Sequence, residues 1–87
     1  MKNKHIHILK TKKENVLYID PSTINKNNIL IQKIYSNFFN LLSKLKKPIG
    51  TIHNFDDAYL STETINFFIL NFFKYKERLQ ETIFFQH

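Results

Sequence analysis

Between Leu30 and Leu45 the apolar residues recur at the three- and four-residue spacing of a helix. At about 100° per residue from Ile34, the side chains of Leu30, Ile31, Tyr35, Phe38, Leu41, Leu42 and Leu45 fall in one wide sector. Gln32, Lys33, Ser36, Asn40, Ser43 and Lys44 fall opposite. This predicts an amphipathic helix over about residues 27–46, stopped by Lys46-Lys47-Pro48, whose basic end complements the helix dipole. A stripe that wide needs a second layer of structure to cover it, and the flanking segments supply strands.

His5 to Leu9 alternates polar and apolar, and Val16-Leu17-Tyr18-Ile19 is a run of strand formers stopped by Asp20-Pro21. With the polar stretch Lys10 to Asn15 between them, the two predict a β-hairpin. Ile49 to Phe55 is a third strand, and Asp56-Asp57 marks a turn. Ser61 is placed to cap a second helix that carries Glu63 in its first turn and runs to about Leu79. Glu81 to Phe85 is a final short strand. The expectation is an α/β (α+β) fold in the order β-β-α-β-α-β. One small mixed sheet of three or four strands would carry two helices on one face, with parallel strands joined by right-handed crossovers. Eighty-seven residues suffice for one such domain, spanning 1–87.

The second helix is apolar on more than one side. Measured from Ile65, the residues Phe68, Ile69, Phe72, Tyr75 and Leu79 form the stripe expected to be buried. Phe67 and Leu70 fall on the other side, with Lys74, Glu77 and Arg78. Two apolar neighbours on a polar face suit an interface, in which a few apolar anchors sit inside a polar rim. The candidate partner-binding residues are therefore Phe67 and Leu70 as anchors and Lys74 as a rim charge, with Asp56, Asp57, Ser61 and Thr62 as the polar edge.

Residues suited to catalysis are sparse. The chain has no Cys, so a thiolate nucleophile, a disulfide and Cys-ligated zinc are excluded. Gly50 is its one glycine, too few for a phosphate-cradling loop. Three of the four histidines, His5, His7 and His53, fall in or beside strands and could approach one another. No carboxylate accompanies them in sequence, so they are expected on a half-exposed sheet face rather than around a metal. Asp56-Asp57 is expected to form a turn rather than an acid/base pair. The expectation is a protein without enzymatic activity, cofactor or metal.

Thirteen Lys and Arg against seven Asp and Glu give a formal charge of +6. The cations cluster at Lys2 to Lys13, at Lys44-Lys46-Lys47 and at Lys74-Lys76-Arg78. Nucleic acid is therefore the alternative partner, as for a ribonucleoprotein subunit. Two facts weigh against it. Only one cation is Arg, the residue favoured for bidentate phosphate and base contacts, and abundant Lys, Asn, Ile and Phe are what an AT-rich genome encodes. Met1 to Lys13 passes straight into a strand pattern without the roughly 7–15 apolar residues of a signal peptide. No stretch approaches the ~18 apolar residues of a membrane span. The expected location is the cytoplasm, or the matrix of an organelle that encodes the protein.

Two stretches resemble known families. Gly50-Thr51-Ile52-His53-Asn54 followed by Leu60-Ser61-Thr62-Glu63-Thr64-Ile65 resembles the strand and helix start of a STAS domain. That resemblance implies docking on a partner protein, with Ser61 or Thr62 at the phosphorylatable position; the family's Gly after the Ser pair is missing. The order of elements, with Asp20-Pro21, Pro48-Ile49 and Phe72-Phe73-Lys74-Tyr75, is similar to the C-terminal core of GNAT acetyltransferases. There the cofactor's pyrophosphate lies against a glycine-bearing turn. The corresponding stretch here, Asn25 to Ile31, has no glycine, so the resemblance implies at most a degenerate acetyltransferase scaffold. By elimination, the expected function is that of a small non-catalytic protein-binding module: a regulatory adaptor, an inhibitor or an assembly subunit. It would act on a protein partner or a second copy of itself.

Overall fold

The computed structural model describes residues 5–12, 14–22, 27–56 and 58–85. Its elements are β1 (Ile6–Lys10), β2 (Asn15–Ile19), α1 (Asn28–Lys44), β3 (Ile49–Asn54), α2 (Thr62–Lys74) and β4 (Leu79–Phe85). They form the expected β-β-α-β-α-β fold around a four-stranded mixed sheet in the order β1-β2-β3-β4. The hairpin β1–β2 is antiparallel, with Ile6 opposite Ile19 and Lys10 opposite Asn15. β3 runs parallel to β2, and β4 parallel to β3 with an irregularity between Ile49 and Thr51. Each β-α-β crossover advances one strand in the same direction, and crossovers of one hand then place both helices on the same face. The order never reverses, so the sheet lacks the switch-point crevice at its strand C-termini where many α/β folds bind ligands.

Helix α1 starts where the Asn27 side chain accepts a hydrogen bond from the Leu30 amide. It ends before Pro48, and the Arg78 guanidinium donates to the Leu45 carbonyl just past its last turn. Its buried residues are Ile31, Ile34, Tyr35, Phe38, Phe39 and Leu42, not the full expected sector. Leu30 and Leu41 are exposed, while Phe39 is buried. The neighbouring helix explains the turn of this face. The Phe39 ring lies 6.0 Å from Phe67, 5.0 Å from Phe72 and 5.6 Å from Tyr75, so α1 buries the side that meets α2 as well as the side over the sheet.

Below α1, the helix-covered face of the sheet presents Ile6, Leu17, Ile19, Thr51, His53 and Phe84. His53 corrects the expectation of a half-exposed histidine, because it is fully buried. His7 pairs with Tyr18, which pairs with Ile52, so His7 lies on the opposite face and the three histidines do not converge. His5, just before β1, has its Nδ1 3.0 Å from the Asp20 carbonyl. The opposite sheet face, with Leu9, Val16, Tyr18, Ile52, Ile83 and Phe85, has neither helix over it. No helix among the described residues is long and apolar enough to cross a membrane.

Candidate docking surface

Helix α2 is fixed at its start by side-chain hydrogen bonds. Ser61 is the N-cap expected from the sequence, its Oγ accepting from the Thr64 amide at 3.2 Å. The Ser61 amide donates to Asn28 Oδ1 at 2.9 Å, and Asn28 Nδ2 donates to the Tyr59 carbonyl at 3.0 Å. Gln32 Nε2 donates to Thr64 Oγ1 at 3.0 Å. The first turn of α1 thus holds the loop before α2, and with it the rotation of α2 about its own axis.

That rotation differs from the expected one. Phe68 and Thr64 are buried, while Phe67, Phe72 and Tyr75 are partly buried against the core. Phe67 is therefore not a solvent-facing anchor, since its ring packs edge-on against Phe39 and lies 6.0 Å from Phe68. Ile65 and Ile69, expected inside, are instead 43% and 62% exposed. Leu70 does face outward, at 71%, and Phe73 joins it at 70%. Ile65, Ile69, Leu70 and Phe73 occupy about 140° of the outer side of α2. Four large apolar side chains on consecutive turns form a continuous patch rather than the scattered exposure normal for a surface. Lys76 Nζ stands 4.4 Å from the centre of the Phe73 ring, placing a cation at the patch edge.

Two small polar residues explain the rotation. Thr64 is accommodated inside by its bonds to Ser61 and Gln32, and Asn71 turns its Nδ2 back to the Phe67 carbonyl at 2.8 Å. With both satisfied locally, the polar side of the helix can face inward without orphaned donors or acceptors.

The remaining predicted residues divide between the two ends of α2. Lys74 is exposed at the C-terminal end, its Nζ 5.3 Å from the Tyr75 ring. Thr62 is exposed at the N-terminal end, about 18 Å away along the helix axis. Ser61 is half-buried and engaged in capping. Asp56 is half-buried in the turn after β3, where its amide donates to Asn54 Oδ1 at 3.0 Å. Asp57 lies outside the described residues. The polar edge and Lys74 thus flank the patch at opposite ends and do not form a single cluster.

The most enclosed polar groups lie under the helices. The Tyr35 hydroxyl is 2.8 Å from His53 Nδ1, and His53 Nε2 is 2.8 Å from Thr51 Oγ1. Burial, reinforced by the Asp20 charge, raises the Tyr35 pKa well above 10, so its hydroxyl keeps the proton and donates to Nδ1. His53 then carries its own proton on Nε2 and donates to Thr51. Burial lowers the His53 pKa from 6.5 to about 3. Phe84 stacks on the imidazole with ring centres 4.7 Å apart, and Phe38 and Phe72 meet it edge-on. So enclosed a relay holds the core together and offers no room for a substrate. No group of three or more metal-binding side chains converges among the described residues. No known protein family, curated protein or solved structure matches the chain, so the two resemblances stand on their residues alone.

Proposed function

We propose that the protein is a small non-catalytic binding module that docks on a protein partner through the outer face of α2. The observation that carries this reading is the patch of Ile65, Ile69, Leu70 and Phe73, held outward by a helix whose opposite side is packed into the core. Buried at an interface, such side chains serve as anchors, with Lys74 and Lys76 at one margin and Thr62 at the other. Among adaptor, inhibitor and assembly subunit, the sheet face that neither helix covers favours the subunit. Leu9, Ile83 and Phe85 are exposed there, and a chain with apolar surface on two sides suits a place between neighbours. The protein would act in the cytoplasm or in the matrix of an organelle that encodes it.

The test is a paired affinity purification from the native host with the parent and Leu70→Ser/Phe73→Ser, read by quantitative mass spectrometry and sedimentation. The variant should melt within a few degrees of the parent, because exposed substitutions usually stay within about 0.5 kcal/mol each. It should lose a defined partner, or self-association, by more than tenfold, since each central anchor lost costs about 2 kcal/mol. Equal recovery of the same proteins by both chains would refute the assignment.

A further inference from the structure

The three cation clusters are far apart in sequence, and the topology gathers the described part of each at one end of the sheet. Val16 pairs with Gly50 and Ile49 with Leu79, while Lys10 stands opposite Asn15, so the hairpin turn and the starts of β2, β3 and β4 lie in one row. Lys10 and Lys12 belong to the hairpin. Lys44, Lys46 and Lys47 form the end of α1 and the approach to β3, and Lys74, Lys76 and Arg78 connect α2 to β4. Eight of the nine described Lys and Arg residues are therefore at this end, with Lys33 of α1 the exception. Glu14, Glu77 and Glu81 are the carboxylates beside them. The opposite end holds Asp20, Asp56 and Glu63 and no described cation.

Helix dipoles account for only part of this segregation. Both helices end here, so Lys44 and Lys74 complement their negative ends. Lys10 and Lys12 lie in the hairpin and have no such role. Two shallow hollows open between the clusters. One, of about 310 Å³, places Ser43 beside Lys74, Lys76 and Arg78. The other, of about 440 Å³, places Asn15 and Gln80 beside Lys47. Glu77 lines the first and Glu14 the second.

We infer that this end binds the phosphate backbone of a nucleic acid, RNA in the first instance, independently of the α2 patch. Cations next to hydroxyl and amide donors are the set that contacts phosphate and sugar oxygens. With one Arg among the eight cations, contact is limited to point charges on the backbone, without bidentate clamping or reading of base edges. Ser43, Asn15 and Gln80 give the hollows hydrogen-bond donors beside their apolar members Tyr75, Leu45, Pro48 and Ile49, and such donors can contact the phosphate and sugar oxygens of a strand.

The purified chain would be titrated into a fluorescein-labelled single-stranded RNA of about 20 nucleotides, the same sequence as DNA, and vesicles of phosphatidylcholine and phosphatidylserine. Lys12→Gln/Lys47→Gln should weaken RNA binding about tenfold at roughly 50 mM salt and lower the salt slope by about one per lysine. Its melting temperature should not change, and Lys33→Gln should have less than a twofold effect. Comparable binding of the DNA would also support a backbone contact. A loss of about threefold in Lys33→Gln, half the double variant's effect on a logarithmic scale, would mean that net charge alone is at work and would overturn the inference. So would absence of RNA binding, or binding confined to the vesicles. Leu70→Ser/Phe73→Ser should bind RNA like the parent, which separates failure of this site from failure of the docking surface.

Discussion

An imidazole can be buried at low cost only if it stays neutral and both nitrogens find partners. His53 meets both conditions through Tyr35 and Thr51, and its pKa of about 3 expresses the cost of charging it there. In the unfolded chain the same group titrates near 6.5, so below that pH the unfolded state takes up a proton that the folded state refuses. Stability from this residue is therefore constant above pH 6.5 and falls as the pH drops towards 3. At pH 5 the loss relative to pH 8 should be roughly 2 kcal/mol, a large share of what so small a domain has to spare. Urea melts across this range should show the decline, and the NMR signals of His53 should stay those of a neutral ring down to about pH 4.5. Titration of that ring near 6.5 would contradict its burial.

At the scale of the element, residues of like chemistry on one helix should behave differently according to the face they occupy. Phe38→Ala should cost roughly 3–5 kcal/mol and Leu41→Ala less than about 1, because Phe38 is enclosed and Leu41 half-exposed. On α2, Phe67→Ser should destabilise the fold by more than 1 kcal/mol, whereas Leu70→Ser should stay within about 0.5. Equilibrium unfolding of the four variants checks both helices, and equal effects within either pair would refute the orientation of that helix. These pairs also show where the sequence was legible. Strand alternation, the Ser61 cap and the Pro48 stop depend on local chemistry, so element order and type could be read directly. The rotation of each helix could not. It depends on which neighbour a helix meets: Phe39 turns inward because α2 lies beside α1. Ile65 and Ile69 turn outward because Thr64 and Asn71 satisfy their polar groups inside. The helical wheel places Leu70 outward, as found, but it places Phe67 there too, where the structure packs it against Phe39. The gathering of the lysines was hidden for a similar reason, since it follows from strand pairings between distant segments.

For the whole molecule, uncovered apolar surface on α2 and on the open sheet face coexists with a net charge of +6. Mutual repulsion at that charge opposes the association of two copies, and salt shortens its reach from about 10 Å at 0.1 M to about 3 Å at 1 M. Light scattering should therefore show self-association increasing between about 0.05 and 1 M sodium chloride, and less steeply for Leu70→Ser/Phe73→Ser. A decrease with salt would mean that charged contacts, not apolar ones, hold copies together. The strand order has a consequence of another kind. Because β1, β2, β3 and β4 occupy in space the order they have along the chain, the sheet can grow by accretion at one edge. Each strand pairs with the one before it, and none has to insert between two that have already joined. In that order a hairpin would be the seed, and each later strand would bring the helix before it to cover the row just laid down. Phe84 belongs to the last strand, so on this route the ring of His53 would be closed over at the final step of assembly.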